Sequence, residues 1–251
     1  MVRLKSESDL KAMREAGRVV AMVLAALEEA IRPGISTAAL DRIAAEVIRK
    51  NGATASFKGY GYPPYPASIC VSIDVEVVHG IPSETRQLAA GQIVSIDVGA
   101  KKNGFHGDAA RTFLVGEVAA DVRRLVEVTK QSFFEALAQV RVGKRLGDVS
   151  AAVQTYCEGH GYGVVRELTG HGIGTDLHEE PGIPNYGVPG RGLRLQTGMV
   201  LAIEPMITLG SYDVVQESDG WTIVTADGLP AAHYENTVAV TNDGPVILTA
   251  L

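Results

Sequence analysis

The chain has 251 residues, enough for one large domain or two small ones, each able to bury a core. Its composition, 46% hydrophobic and 21% charged, excludes a wholly disordered chain. A formal charge of −6 without any run of five like charges argues against a protein that wraps nucleic acid, so we expect no direct nucleic-acid partner.

The cysteines and the first residues indicate the compartment. Cys70 and Cys157 form no CxxC pair, so neither a disulfide framework nor a zinc knuckle can be built from them. The opening residues, MVRLKSESDLKAMREAGRVV, are too charged for a signal peptide, and no stretch approaches the roughly 18 apolar residues of a membrane span. We therefore expect a soluble, cytoplasmic protein with no membrane partner.

The first half of the chain reads as two helices, a loop and several strands. Apolar residues spaced by three and four predict a long amphipathic helix over 8–32, which Pro33-Gly34 ends. Ser36 is a candidate N-cap for a second helix, which closes at Asn51-Gly52. The Pro- and Tyr-rich residues 59–68 predict an ordered loop. Short strands are then predicted at 69–73, 93–98 and 112–115.

The second half repeats this order. Helices are predicted over 120–140 and 148–159, followed by strands around Val200 and Val238. The string GQIVSID, ending at Asp97, matches GMVLAIE, ending at Glu204, in residue type at six of seven positions.

Two similar segments, each at the end of a predicted helix, support a duplication. Arg32-Pro33-Gly34 and Arg141-Val142-Gly143 are separated by nearly the same number of residues as the two seven-residue strings. We therefore predict an α+β fold of two ααββ halves, approximately 8–115 and 120–247, packed with pseudo-two-fold symmetry as a single catalytic domain over 1–251. Chance recurrence of short strand motifs is the alternative.

Two carboxylates interrupt apolar strands. Asp97 lies within IVSIDVG and Glu204 within VLAIEPM, and neither flank supplies a Lys or Arg. An isolated carboxylate in apolar surroundings costs several kcal/mol to keep ionised unless a cation or hydrogen bonds compensate. Each half carries a second acid further along, Asp108 and Glu235, which we expect on a neighbouring antiparallel strand.

Four acids facing one centre suggest a metal site. They would repel one another strongly, and divalent metal is the usual remedy. Both halves also carry a His-Gly-Ile string, at His79 and His171. One histidine with four carboxylates suits two borderline-hard divalent ions such as Mn, Co, Fe or Zn. The alternative is that each acid caps a turn or pairs with a distant Arg.

These residues resemble a known family, the type I methionine aminopeptidases, which share the pita-bread fold with creatinase and the proline-specific aminopeptidases. The resemblance covers nearly the whole chain. Its motifs, in chain order, are MREAGR from Met13, RPGIST from Arg32, VHGIP from Val78, SIDVG from Ser95, GFHGD from Gly104, GHGIG from Gly170, LHEEP from Leu177 and IEPM from Ile203.

The resemblance implies a dinuclear metal centre. It assigns Asp97 and Asp108 to one divalent ion, His171 and Glu204 to the other, and Glu235 to a bridge between them. It also implies that Glu204 shuttles protons during hydrolysis.

The resemblance also implies a substrate site. His178 would donate a hydrogen bond to the scissile carbonyl oxygen, and His79 would lie beside the scissile amide nitrogen. A loop or surface imidazole is the alternative for each histidine. The predicted methionine pocket comprises Tyr62, Tyr65, Cys70 and Trp221, together with Leu177, His79 and His178.

Three positions depart from the family pattern. Leu177 stands where a bulky aromatic residue is frequent, and Gly59 replaces a larger residue at the pocket rim. Asn236 replaces a histidine directly after Glu235. The first two changes bear on pocket width, and the third removes an imidazole beside a predicted ligand.

The function that the resemblance implies is removal of the initiator methionine from nascent polypeptides with a small second residue. A monomer and transient proximity to the ribosome are further family expectations. A proline-specific aminopeptidase of the same fold is one alternative, although such enzymes usually carry an extra amino-terminal domain. A non-catalytic pita-bread binding module is the other, and such modules lose ligand residues that are present here.

Overall fold

The computed structural model describes residues 2–251 and contains four helices in two pairs. Their bounds are α1 Glu7–Ala30, α2 Thr37–Lys50, α3 Ala120–Gln139 and α4 Leu146–Gly159. Each predicted helix is present. The Ser6 side chain caps α1, and the Ser36 side chain accepts a hydrogen bond from the Ala39 amide at the start of α2. Helix α1 ends at Ala30 because the residue before Pro33 is disfavoured in helical conformation.

Fifteen strands make up the rest of the regular structure. Those of the first half are β1 Thr54–Ala55, β2 Cys70–Ile73, β3 Glu76–Val78, β4 Ile93–Lys102 and β5 Phe105–Leu114. Those of the second half are β6 Gly163–Val164, β7 Thr169–Gly172, β8 Glu179–Pro184, β9 Val200–Ile203, β10 Met206–Thr208, β11 Val214–Gln216, β12 Ile223–Thr225, β13 Ala231–His233, β14 Asn236–Thr241 and β15 Gly244–Ile247. Residues 59–68 form no helix or strand, as predicted.

The two largest sheets are antiparallel, one in each half. The first has the order β1-β4-β2 with β5 paired to β4, and the second has the order β15-β14-β9-β7-β8. Helices α1 and α2 pack their apolar faces on the first sheet, and α3 and α4 pack theirs on the second. The α+β prediction, with antiparallel sheets covered by helices, is confirmed.

A tight hairpin joins β4 to β5. Lys102 pairs with Phe105, and the two connecting residues, Asn103 and Gly104, both have positive φ, at 52° and 83°. This is the type I′ turn that suits the twist of two antiparallel strands. Gly99 on β4 therefore lies opposite Asp108 on β5.

The sequence prediction was wrong about the length of β5. It gave bounds only for a short strand at 112–115 and expected Asp108 on an antiparallel strand without bounds, whereas the structure has one continuous strand from Phe105 to Leu114. The segment FHGDAAR is poor in β-branched residues, and pairing with β4 overrides that weak local preference.

Helix α1 packs closely on β5, the strand that carries Asp108. A Cβ on Gly107 would lie 2.8 Å from the Gly17 nitrogen, and a Cβ on Gly17 would lie 2.2 Å from the Leu248 carbonyl oxygen. Only glycine permits this approach at both positions. Among residues 2–251, no helix combines the length and apolar character required to cross a membrane.

Candidate active site

The five predicted metal ligands all line one cavity of about 330 Å³ between the two halves. Asp97 lies on β4, Asp108 on β5 and His171 on β7, whereas Glu204 directly follows β9 and Glu235 directly precedes β14. Since β4 pairs with β5 and β9 pairs with β14, each half brings its two acids together on neighbouring strands. This pairing is the one that the sequence predicted.

The ligand atoms are close enough to share a cation. One atom from each of Asp108, His171 and Glu235 lies within 4.8 Å of the other two. The Nε2 atom of His171 is 3.6 Å from Glu204 Oε1 and 4.0 Å from Asp108 Oδ2. Buried oxygens of Asp97, Asp108 and Glu235 have no hydrogen-bond partner among the described residues. Oxygen and nitrogen donors without partners are what a divalent ion requires, so the donor set fits a metal.

The tautomer of His171 follows from its backbone contact. Its Nδ1 lies 2.8 Å from the Gly172 carbonyl oxygen, which can only accept a hydrogen bond. Nδ1 therefore carries the proton, and the lone pair of Nε2 points toward the acids. This arrangement is typical of a histidine that ligates metal through Nε2.

Burial raises the pKa of every acid in the cluster, and repulsion from neighbouring carboxylates raises it further for Asp108, Glu204 and Glu235. Burial is the largest cause for each, and it raises the pKa of Asp97 to about 7. The pKa of Asp108 is raised well above its ordinary value by burial, then by Asp97 and Glu204. Burial and neighbouring carboxylates likewise raise the pKa values of Glu204 and Glu235. Without a cation, the cluster therefore holds protons near neutral pH.

This clustering predicts how the stability of the metal-free protein depends on pH. The folded chain retains protons that the unfolded chain has released, so the free energy of unfolding is expected to fall as pH rises from about 6.5 to about 8.5. Burial lowers the pKa values of His171 and His233 to about 3 each. At pH values below the ordinary pKa of histidine, these two groups therefore make the free energy of unfolding rise with pH, opposite to the effect of the acids. Urea denaturation in EDTA at several pH values measures this slope.

Bound metal supplies the control for that measurement. Because a cation keeps the acids ionised in the folded state, the decline with pH should disappear in metal-loaded protein. A free energy of unfolding that rises with pH over this range in the metal-free protein would contradict the description of the cluster.

Apolar and aromatic side chains form one wall of the cavity. Of the predicted pocket residues, Tyr65, Cys70, Leu177 and Trp221 line it, as do His79 and His178. The Tyr65 and Trp221 rings meet edge to face at 5.2 Å between centroids, and the Tyr65 hydroxyl donates to the Gly80 carbonyl oxygen at 2.8 Å. These contacts hold the aromatic part of the wall in place.

The structure corrects one pocket residue. Tyr62 is 97% exposed and lies outside the cavity, whereas Tyr60 lines it. Gly61 explains the difference, because a Cβ there would lie 2.5 Å from the Trp221 ring. The backbone packs against Trp221 at Gly61, with Tyr60 in the cavity and Tyr62 in solvent. The sequence offers several tyrosines in this loop and no local signal that separates them.

Tyr60 contacts a predicted catalytic histidine. Its hydroxyl lies 2.5 Å from Nδ1 of His178, and the His178 ring packs 4.2 Å from the His171 ring. The His79 ring meets the Trp221 ring edge to face at 6.0 Å between centroids, and His79 has a positive φ of 62°. Burial lowers the pKa of His178, and burial followed by His178 lowers the pKa of His79 to about 4. Both rings are therefore neutral at pH 7.

Gly59 allows the backbone of the loop to adopt a positive φ. Its φ is 83°, a Cβ there would meet nothing within 4 Å, and its amide donates to the Tyr65 carbonyl oxygen. Gly59 does not line the cavity, although the next residue, Tyr60, does.

Several residues in the cavity wall, and one behind it, were not predicted. Phe57, Val78, Leu168 and Met206 add apolar wall, and only their apolar character marks them in the sequence. His233 is 1% exposed, and its Nε2 lies 3.9 Å from Glu204 Oε2 and 4.0 Å from Glu235 Oε2. Its position two residues before Glu235 is a signal that could have identified it.

Comparisons with known proteins identify the family of the chain. The family model described as metallopeptidase family M24 matches residues 11–242. A methionine aminopeptidase of Clostridium acetobutylicum is 53% identical over 249 residues, which are 99% of each chain. The crystal structure of a methionine aminopeptidase from Thermotoga maritima matches with a TM-score of 0.98 at 43% identity and covers 100% of both chains.

A more distant structure shares the fold alone. A Xaa-Pro dipeptidase from Bacillus anthracis matches with a TM-score of 0.77 at 24% identity, covering 98% of this chain and 61% of its own. The proline-specific alternative and the non-catalytic module are therefore not favoured over the full-length match to methionine aminopeptidases. The chain belongs to metallopeptidase family M24 and, within it, to the methionine aminopeptidases.

Proposed function

We propose that this chain removes the initiator methionine from new polypeptides with a small second residue, using two divalent ions held by Asp97, Asp108, His171, Glu204 and Glu235. The observation that carries the proposal is the meeting of these five side chains in one cavity beside an apolar wall. The bound ions, drawn from Mn, Co, Fe or Zn, would polarise the scissile carbonyl and activate a water molecule.

Glu204 is proposed to move the proton. Its side chain is 15% exposed, and its carbonyl oxygen accepts a hydrogen bond from the buried Asn185 amide at 2.9 Å, which holds the backbone in place. A carboxylate held beside the attacking water can accept its proton and pass it to the leaving amine.

The two neutral histidines are proposed to bind the reacting amide. With Tyr60 donating to Nδ1, His178 carries its proton on Nε2 and can donate it to the carbonyl oxygen as negative charge develops there. His79, fixed against Trp221, would lie beside the amide nitrogen.

The apolar wall is proposed to select methionine. Tyr60, Tyr65, Cys70, Leu177 and Trp221 surround a space suited to an unbranched thioether side chain. The small size of a cavity of about 330 Å³ would restrict the second residue to small side chains.

The proposal extends to the setting of the reaction. Because new polypeptides are made in the cytoplasm, we propose that the chain acts there, in transient proximity to the ribosome. We also propose that it acts as a monomer. The buried Cys70 and Cys157 are both free thiols, which agrees with a reducing compartment.

Peptide hydrolysis tests this function. EDTA-stripped protein is assayed with Met-Ala-Ser, Leu-Ala-Ser and Ala-Pro-Ala after separate addition of Mn, Co, Fe(II) or Zn. Metal-dependent release of methionine is expected to exceed that of leucine by at least about tenfold. Cleavage of Ala-Pro-Ala alone, or no cleavage with any metal, would overturn the proposal.

Tyr60→Phe should slow the reaction without abolishing it. Loss of the hydrogen bond to His178 removes about 0.5–1.5 kcal/mol, which corresponds to a roughly 2- to 12-fold lower kcat. Tyr62→Phe is the matched control in the same loop, and it should leave kcat unchanged because Tyr62 faces solvent. Steady-state kinetics with Met-Ala-Ser measure both variants, and equal effects would contradict the role given to Tyr60.

A further inference from the structure

A partly buried guanidinium lies directly behind the ligand Glu235. Arg111, three residues after Asp108 on β5, donates through Nη1 to the carbonyl oxygens of Glu235 and Ala110, at 2.5 and 2.8 Å. The Glu235 amide also donates to the Ala110 carbonyl oxygen, at 2.9 Å. The backbone of Glu235 is therefore held on both its amide and its carbonyl side.

Arg111 makes no ion pair within the part of the chain that the structure describes. Its guanidinium packs over the Tyr234 ring at 4.2 Å, and burial lowers its pKa. A partly desolvated guanidinium without a carboxylate partner is costly, so its hydrogen bonds to the Glu235 backbone are its main compensation. Its charge also opposes the upward shift in the pKa of Glu235.

Asn236 is the second partner of Arg111. Its Oδ1 accepts from Arg111 Nη2 at 2.7 Å and from the Thr249 hydroxyl at 3.0 Å. Because arginine is only a donor, the amide must present its oxygen to Arg111. The Nδ2 of Asn236 is buried without a hydrogen-bond partner among residues 2–251. Asn236 therefore acts here as an acceptor alone, at the position where related enzymes carry histidine.

The same contacts reach a second ligand. The Thr249 hydroxyl accepts from the Thr237 amide at 3.2 Å. The Thr237 hydroxyl in turn accepts from the Asp108 amide and donates to the Asp108 carbonyl oxygen, both at 2.9 Å. One continuous chain of hydrogen bonds thus joins the backbones of Asp108 on β5 and Glu235 beside β14.

We propose that Arg111 and Asn236 form a positioning pair that holds Glu235, and through Thr249 and Thr237 also Asp108, in the geometry required to bind metal. Neither side chain lines the cavity that the five proposed ligands line, so both act through the backbone of those ligands. The inference rests on the proposed metal centre and adds residues outside the predicted ligand set.

Three variants separate positioning from general stability. Asn236→Asp keeps the acceptor, loses a donor that has no partner among the described residues, and adds a carboxylate that can pair with Arg111. Asn236→Leu removes the acceptor, and Arg111→Met removes the donors. Arg111 and Asn236 also line a second cavity of about 510 Å³ between α1 and α3, so groups released by these changes can reach solvent.

The test is calorimetric titration of each EDTA-stripped protein with Mn²⁺, beside its thermal unfolding without metal. Asn236→Leu and Arg111→Met are expected to weaken the Kd for Mn²⁺ by about 10- to 100-fold, with Asn236→Asp retaining it within about threefold. A purely structural role would lower Tm and leave the Kd of the folded protein unchanged.

Three results would overturn the inference. If the unchanged chain binds Mn²⁺ and all three variants bind it equally well, or Asn236→Asp binds as poorly as Asn236→Leu, the positioning pair alone is refuted. If the unchanged chain binds no Mn²⁺, Co²⁺, Fe²⁺ or Zn²⁺, the proposed metal centre fails and the inference fails with it.

Discussion

Glu204→Gln is expected to lower kcat/KM for Met-Ala-Ser by at least about a thousandfold. General acid–base catalysis contributes roughly 10²- to 10⁴-fold, and this residue is also proposed to hold a metal ion. Glutamine has nearly the same shape but can neither accept the proton nor carry the charge. The substitution removes an acid whose pKa is raised by burial and by Asp97, so the fold should remain intact.

The control for Glu204→Gln is Glu167→Gln. Glu167 also lines the cavity but lies on an exposed segment, and it is not a predicted ligand. Its substitution should change kcat/KM by less than about threefold. Both proteins are checked for fold by circular dichroism and for metal content. Substantial activity of metal-loaded Glu204→Gln would contradict the role assigned to Glu204.

Asp108→Asn is expected to have opposite effects on function and on stability. Asp108 is 3% exposed, and its Oδ1 has no hydrogen-bond partner within residues 2–251. Removing its charge relieves repulsion from Asp97 and Glu204, so the metal-free variant should gain about 0.5–2 kcal/mol in free energy of unfolding near pH 8. Hydrolysis should be lost, because an amide is a poor ligand compared with a carboxylate.

The matched control is Asp148→Asn, an acid outside the cavity. Asp148 accepts hydrogen bonds from the Arg145 and Gly190 amides, which lower its pKa. Its neutralisation should therefore lower stability, the reverse of the effect at Asp108, and leave hydrolysis unchanged. Urea denaturation in EDTA compares the two. A metal-free Asp108→Asn protein less stable than the unchanged chain would contradict a repulsive carboxylate cluster.

The acids could be located from the sequence because they break a clear pattern. Asp97 and Glu204 interrupt apolar strands at matching positions of a repeat, and antiparallel pairing then places Asp108 and Glu235 beside them. Such a signal depends only on strand periodicity, which is local. The structure brings these side chains together as expected, and their role as ligands stays a prediction that metal binding must test.

The residues of the apolar wall could not all be predicted, because contacts between distant parts of the chain decide which side chains line the cavity. The choice between Tyr60 and Tyr62 is made by the contact of Gly61 with Trp221, a residue 160 positions away in the chain. The full length of β5 likewise came from pairing with β4, and local propensity did not indicate it.

The pairing of Arg111 with Asn236 shows the same limit at the metal centre. The sequence marked Asn236 as a departure from the family and gave no reason to connect it with Arg111, 125 residues earlier. Their contact exists because β5 and β14 lie side by side in the fold. A contact between side chains so far apart in the sequence is visible only once those strands have been placed.

The most direct measurement counts the ions that the stripped chain binds. Protein treated with EDTA is titrated with Mn²⁺ or Co²⁺ by calorimetry, with Asp97→Ala titrated in parallel. We expect two ions per chain and the return of Met-Ala-Ser hydrolysis on binding, and we expect Asp97→Ala to lose both the second ion and the hydrolysis. Hydrolysis that persists without bound metal, or Asp97→Ala binding as many ions as the unchanged chain, would contradict the metal centre described here.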